Sequence, residues 1–151
     1  MPKIYCIAII GKQNNPLYIK NFEPGLYDDL KFHYIAHTSC DLFYERAANG
    51  KSQGQYHGLL HVVEDFVVYG YMTNTSVKFI VVLKLNDEII KDMDMKMIFR
   101  NIHGAYVMYV CNPFHNASLR SQDNQTVSIS GPEIKSRFFE SFINKIGSFS
   151  A

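Results

Sequence analysis

The sequence predicts an α+β protein, an α/β/α sandwich in which helices cover both faces of one antiparallel sheet. Residues 66–85 hold two runs rich in β-branched and aromatic residues on either side of a polar tetrapeptide, residues 73–76. This is the pattern of an antiparallel hairpin. The second run is apolar on both of its faces, which is typical of a strand whose sheet is covered on both sides. Helical periodicity elsewhere in the chain supplies the covering helices.

The two faces of this second run differ at their ends. Side chains alternate along a strand, so one face is formed by Val77, Phe79, Val81, Leu83 and Leu85. The other face has Ile80 and Val82 in the middle, with Lys78 and Lys84 at its ends. We therefore expect both lysines at charged, solvent-facing rims.

Five strands follow from the apolar runs and the turn residues between them. The predicted strands are residues 3–10, 17–22, 56–63, 66–72 and 77–85. The Gly, Asn and Pro residues of GKQNNP, residues 11–16, form the turn between the first two. The last three strands follow one another on short turns as a meander. The hairpin and the meander together predict one five-stranded antiparallel sheet.

Three helices complete the predicted order ββ–α–βββ–α–α. The first begins at Asp28 or Asp29, runs to about Ala48 and ends at Asn49-Gly50. The second runs from Asp92 or Asp94 to Val110, and its predicted buried side is Met95, Ile98, Phe99, Ile102, Ala105, Tyr106 and Tyr109. The third starts near residues 130–133, with Ile134, Phe138, Phe142 and Ile146, extended by Phe149, as its buried stripe. We expect one helix on one face of the sheet and two on the other.

Helix one has two apolar stripes rather than one. The first stripe is Leu30, Tyr34, His37 and Asp41, and the second is Phe32, Ile35, Ser39 and Leu42, with Phe43 and Arg46 at its end. A helix that is apolar on more than one side is buried on more than one side. One stripe therefore packs on the sheet, and the other is covered by a loop or by a partner protein. The pattern leaves open which stripe does which.

Composition favours a single globular domain over residues 1–151, with a polar loop at residues 118–131. Hydrophobic residues make up 47% of the 151 residues and charged residues 19%, which argues against disorder. A net charge of +1 gives no reason to expect a nucleic acid or an anionic membrane as a dedicated partner. Three widely spaced cysteines favour a reducing, cytosolic setting over a disulfide framework. No apolar run approaches the roughly 18 residues that a transmembrane helix needs.

The candidate chemical groups are weak. His33 and His37 lie four apart on helix one, with Asp41 one turn further, but Tyr34 stands where a zincin helix needs glutamate. His57 and His61 lie four apart on a strand, about 13 Å of rise and too far for one metal ion. No cysteine lies in a local pattern that activates a nucleophile. We expect no catalytic residue, no metal and no cofactor, and therefore no enzyme.

Three separated segments carry a family resemblance. They are LKFHYIAHTSCD at residues 30–41, VYGYMTNTSVKF at residues 68–79 and CNPFHN at residues 111–116. In these segments the chain resembles the sedlin family of TRAPP subunits, and within it the subunit 2-like branch. The likeness extends in the same order over nearly the whole chain.

The resemblance implies a longin-like fold and a non-catalytic role. Proteins of this kind are subunits of the TRAPP vesicle-tethering complex, which acts in traffic from the endoplasmic reticulum to the Golgi and catalyses nucleotide exchange on a Rab-type GTPase. The implied partners are other TRAPP subunits and, indirectly, the GTPase. The implied location is cytoplasmic, peripheral to ER and Golgi membranes.

The resemblance also implies that helix one and adjoining strand edges contact another subunit. Within the helix, we predict that this contact is made by Phe32, Ile35, Ser39, Asp41, Phe43 and Arg46. Two other functions fit the predicted fold. A clathrin-adaptor small subunit would recognise sorting peptides, and a carrier of a small apolar ligand would hold a cavity between helix one and the sheet.

Overall fold

The computed structural model describes residues 3–50, 54–85, 90–111, 134 and 136–149. The strands are β1 (Ile4–Ile10), β2 (Pro16–Asn21), β3 (Tyr56–Val63), β4 (Phe66–Met72) and β5 (Lys78–Lys84). The helices are α1 (Asp29–Ala48), α2 (Asp92–Val110) and α3 (Arg137–Phe149). The predicted element order is confirmed. The predicted polar loop at residues 118–131 lies outside the described residues, as do most of the CNPFHN segment and the predicted start of the last helix.

The five strands form one antiparallel sheet in the order β2-β1-β5-β4-β3. Hairpin and meander join where β1 pairs with β5, with Ala8 opposite Ile80 and Ile9 opposite Phe79. All seven residues of β1 are buried because this strand lies inside the sheet, covered on both faces. The α+β, longin-like sandwich is therefore confirmed.

Two hydrophobic clusters lie on opposite faces of the sheet. Phe79, Val81 and Leu83 of β5 point into the cluster that α2 and α3 cover. Ile80 and Val82 point into the cluster that α1 covers. One helix thus packs on one face and two on the other, as the two-faced pattern of β5 predicts.

Lys78 departs from the predicted charged rim. Its side chain is fully buried at the start of β5, whereas Lys84 at the other end is exposed. Lys78 is buried because residues distant in sequence cover its ammonium, namely Asn14 of the β1–β2 turn and Tyr44 of α1. Leu85 falls just outside the strand and is exposed.

Helix α1 begins and ends at the predicted residues. The Asp28 carboxylate accepts a hydrogen bond from the Leu30 backbone N–H at 3.2 Å, which caps the first turn. Asn49 caps the other end, and Gly50 follows with a φ of 63°. Glycine adopts this left-handed conformation without a Cβ penalty, so the helix ends there.

On α2, five of the seven residues of the predicted side are buried, and Tyr106 and Tyr109 are half-buried. The predicted buried stripe of α3 is partly wrong. Phe138 is exposed and Phe142 half-buried, whereas Phe139, Ile143 and Ile146 of the helix and Ile134 before it are buried. The Phe149 side chain lies outside the described residues. The helix is turned so that the Phe139 ring packs edge-on against Tyr18 of β2, with the ring centroids 5.1 Å apart. Phe138 and Phe139 are adjacent and both apolar, so helical periodicity does not distinguish which of the two faces the sheet.

The contact between α1 and the sheet is very close at Gly70 of β4. A Cβ at this position would lie 2.6 Å from Leu60 Cδ1 and 2.6 Å from Phe43 Cζ. Only glycine lets the helix approach the strand to this distance. Packed side chains fill this part of the space where a ligand carrier would need a cavity.

Candidate partner interface

Four of the six residues predicted to contact a partner lie in the core of the domain. Phe32, Ile35, Ser39 and Phe43 are each at most 1% exposed. The Phe32 ring lies 5.7 Å from the Phe66 ring, and the Phe43 ring lies 5.1 Å from the His57 ring. This corrects their assignment to a contact surface, because they already pack against the sheet. A partner contact on α1 itself stays a prediction.

Small residues on and beside the second stripe could have shown that this side of the helix faces the sheet. Ala36, Ser39 and Cys40 are all buried, and side chains this small let the helix lie close to the sheet. Their polar atoms need no outside partner, since Ser39 Oγ donates to the Ile35 carbonyl at 2.7 Å and Cys40 Sγ donates to the Ala36 carbonyl at 3.4 Å. The first stripe has no comparable run of small residues.

Arg46 binds the domain's own edge strand. Its Nη1 donates to the His57 carbonyl at 2.7 Å and its Nη2 to the Leu60 carbonyl at 3.4 Å. These carbonyls belong to β3, which is an edge of the sheet. Edge strands expose hydrogen-bonding groups that invite pairing with another chain, and a covering cation prevents it. The structure therefore explains Arg46 by an intramolecular role.

We expect Arg46→Ala to lower the free energy of unfolding by about 1–3 kcal/mol, because two carbonyls lose a charged donor. Urea denaturation monitored by circular dichroism measures this. Arg100→Ala is the matched control, since Arg100 is exposed on α2, and surface substitutions change stability by about 0.5 kcal/mol or less. Equal stability of the two variants would contradict the role assigned to Arg46.

The first stripe of α1 faces solvent. Leu30 is 72% exposed, Tyr34 66% and Tyr44 50%, and His37 and Asp41 are exposed between them. These five residues recur every three or four positions, so they lie along one side of the helix. We call them the outer α1 face. Asp41 is thus the one residue of the predicted contact set that this face contains.

A surface groove runs along the first half of this face. It is lined by Asp28, Leu30, Lys31, His33, Tyr34 and His37. Lys31 forms an ion pair with Glu64 after β3, and its ammonium lies 5.1 Å from the Phe66 ring centroid. Through Lys31 this wall of the groove contacts the core, because the Phe66 ring is buried.

The histidines of the described residues do not form a metal site. No three His, Cys, Asp or Glu side chains within the described ranges are grouped so that they could hold a metal ion. His57 and His61 each have a buried Nδ1 that finds no hydrogen-bond partner among the described residues. Burial lowers the pKa of both imidazoles, because a charged ring is poorly solvated there. Burial therefore favours the neutral form of both rings.

The cysteines are free thiols, with Cys6 and Cys40 buried and Cys111 exposed. Burial raises the pKa of Cys6 and of Cys40, so that the reactive thiolate is disfavoured at both. Neither buried thiol has the character of a nucleophile. Among the described helices, none combines the length and the apolar character that crossing a bilayer requires.

Comparison with known proteins identifies the family. The model of the Sedlin family matches residues 9–147. The chain belongs to the sedlin family. This confirms the resemblance carried by residues 30–41, 68–79 and 111–116, and the matched range takes in every described strand and helix at least in part.

Sedlin-family relatives align over most of their length. The chain is 40% identical to the trafficking protein particle complex subunit 2-like protein of Dictyostelium discoideum, over 83% of this chain and 91% of the relative. The protein of the same name from Taeniopygia guttata is 38% identical over 93% of this chain and 94% of the relative. That from Rattus norvegicus is 42% identical over 78% and 86%. These names agree with the predicted branch of the sedlin family.

Proposed function

We propose that this protein is a non-catalytic subunit of a TRAPP-type vesicle-tethering complex and binds another subunit through the outer α1 face. The observation that carries the proposal is the line of exposed side chains Leu30, Tyr34 and Tyr44 on one helix. The names of the relatives support complex membership, since each is a trafficking protein particle complex subunit.

The outer α1 face has the properties of a docking surface. Leu30 and Tyr34 lie one turn apart, and clustered exposed apolar side chains mark interaction sites more often than scattered ones do. Tyrosine is enriched among the residues that contribute most to binding at protein interfaces. Helix α1 has 20 residues, about 30 Å of rigid surface, which suits one side of a standard interface of about 800 Å².

The inner side of α1 holds this surface in place. Phe32 and Phe43 anchor the helix in the core, and Arg46 ties its last turn to β3. A partner that binds such a helix loses little free energy to ordering it. The arrangement favours a stable subunit contact over the capture of a flexible ligand.

The proposed setting is traffic between the endoplasmic reticulum and the Golgi. The subunit supports assembly of a complex that exchanges nucleotide on a Rab-type GTPase, and it contributes contacts instead of an exchange site. Its place is cytoplasmic and peripheral to ER and Golgi membranes, through the complex. The direct partners are other TRAPP subunits, and the GTPase is an indirect one.

Tyr34→Asp is expected to weaken binding to a reconstituted TRAPP core that lacks this subunit by about tenfold or more, because a charge then replaces a ring at the interface. Interferometry with the immobilised protein measures the affinity, and thermal melting checks the fold. The variant keeps its melting temperature, since Tyr34 is 66% exposed.

Met97→Asp is the matched control. Met97 is also an exposed apolar residue, 55% exposed, but it lies on α2, on the opposite face of the sheet. Binding by Tyr34→Asp at wild-type affinity, or equal loss by both variants, would overturn the assignment to the outer α1 face. Binding of sorting peptides in place of TRAPP subunits would favour an adaptor function.

A further inference from the structure

The buried ammonium of Lys78 has only neutral partners among the described residues. Its Nζ donates to Asn14 Oδ1 at 2.9 Å and to the Tyr44 hydroxyl at 3.4 Å. The same Nζ lies 5.0 Å from the centroid of the Tyr44 ring. Asn14 and Tyr44 also meet each other, 3.4 Å apart between the hydroxyl and Oδ1. We call these three residues the Lys78 cluster.

A buried cation without an anion is unfavourable. Removing an ammonium from water costs several kcal/mol unless an opposite charge lies beside it. The ion pairs formed within the described ranges lie elsewhere and join Lys3 to Glu23, Lys20 to Glu140 and Lys31 to Glu64. Asp41 lies one turn before Tyr44 on the same face, yet it forms no ion pair with Lys78 in the described structure.

The Lys78 cluster lies just beneath the surface, at one end of the outer α1 face. Lys78 itself is fully buried, but the two side chains that cover its ammonium are exposed, with Tyr44 50% accessible to solvent. Asn14 sits in the β1–β2 turn with a φ of 61°, a conformation that asparagine tolerates better than most residues. From this turn its side-chain oxygen accepts the hydrogen bond from Lys78.

We propose that the partner subunit inserts an acidic side chain into the Lys78 cluster, where its carboxylate pairs with the Lys78 ammonium. This rests on the proposed function, since Tyr44 belongs to the outer α1 face. Asn14 Oδ1 now occupies the place of one carboxylate oxygen, and the Tyr44 hydroxyl can donate to the other. The charge complementarity sets the register of the partner along the helix.

The chemistry favours a carboxylate over a phosphate group. The cluster holds one cation and two neutral side chains, which balances a single negative charge. Phosphate groups are usually held by several cations or by a row of backbone N–H groups. The exposed Asp41 carboxylate on the same face repels a dianion more strongly than it repels a singly charged carboxylate. A partner aspartate or glutamate is therefore the occupant that the site fits.

The deciding variant is Asn14→Asp, which supplies the carboxylate from within the chain. We expect this variant to melt at a higher temperature than the wild type, because the buried ammonium gains an ion pair. We expect its affinity for the reconstituted TRAPP core to fall by about tenfold, since the internal carboxylate displaces the partner's. A role in stability alone would raise the melting temperature and leave the affinity unchanged, which would overturn the proposal.

Lys78→Gln and cross-linking give independent tests. Lys78→Gln is expected to lose affinity to a similar degree, whereas Lys20→Gln, which removes a lysine already paired with Glu140, keeps it. Carbodiimide joins amines to carboxylates in direct contact, so mass spectrometry of the treated complex should find Lys78 linked to a partner aspartate or glutamate. A link only to a second copy of this chain would contradict the proposed partner.

The outcomes separate this inference from the proposed function. Wild-type affinity of Asn14→Asp and Lys78→Gln, together with weak binding by Tyr34→Asp, would overturn the acidic contact alone. Wild-type affinity of all three variants would overturn both. If Lys78→Gln does not fold, Asn14→Asp decides the question, because it adds an attractive contact instead of removing one.

Discussion

Truncation of Phe43 to alanine is expected to lower the free energy of unfolding by about 3–5 kcal/mol, the largest effect on stability that we predict. Phe43 is fully buried between α1 and the sheet, where its ring meets His57 and the backbone of Gly70. Its removal leaves a cavity that this closely packed contact cannot close. Urea denaturation at neutral pH measures the loss.

Tyr34→Ala is the control for Phe43→Ala. Both replace an aromatic residue of α1, but Tyr34 is 66% exposed, so its change in stability should stay near 0.5 kcal/mol. A comparable loss in both variants would mean that the outer side of α1 is also part of the core. The two variants thus distinguish the packed side of the helix from the side offered to a partner.

Gly70→Ala is expected to destabilise the protein by about 1–3 kcal/mol, because the added methyl group overpacks the contact between β4 and α1. The Cβ would lie 2.6 Å from atoms of both Leu60 and Phe43, so at least one side chain must move. Thermal melting is a sufficient measure, since about 1 kcal/mol shifts the melting temperature of a chain of this size by about 2–4 °C.

Gly104→Ala provides the same substitution without the steric contact. A Cβ at Gly104, in the middle of α2, would meet nothing within 4 Å. Replacing an unconstrained helix glycine by alanine should stabilise by about 0.5–1 kcal/mol. The two glycine variants therefore have opposite expected signs. Stabilisation by both would show that α1 can move away from β4 at little cost.

The structure changes which residues of α1 we expect to contact a partner. The predicted contact set and the outer α1 face share Asp41 alone, because Phe32, Ile35, Ser39 and Phe43 lie on the side that the sheet covers. The family assignment and the choice of α1 as the contact helix do not depend on which of these residues face outward. What changes is the surface to mutate, from residues whose loss would unfold the domain to residues that tolerate substitution.

Local sequence patterns predicted the strands, the helices and their arrangement in layers. Strands and helices depend on neighbours within a few positions, through alternation, helical periodicity, caps and turn residues. Strands β3 and β4 have their predicted bounds, and α1 begins after Asp28 and ends at Asn49 as predicted. The two apolar faces of β5 also predicted a sheet covered on both sides, because the alternation of side chains within this one strand shows that both faces are buried.

Which side of a helix faces inward, and where distant polar groups meet, depends on tertiary packing. Both stripes of α1 are apolar enough to be buried, and the choice depends on how closely Gly70 and Ala36 let helix and strand approach. Lys78 and Asn14 are 64 positions apart, so no local pattern could place one beneath the other. Arg46 reaches the β3 carbonyls of His57 and Leu60 by the same kind of long-range contact. Such contacts depend on how complete helices and strands pack together. Side-chain periodicity within one element does not predict that packing.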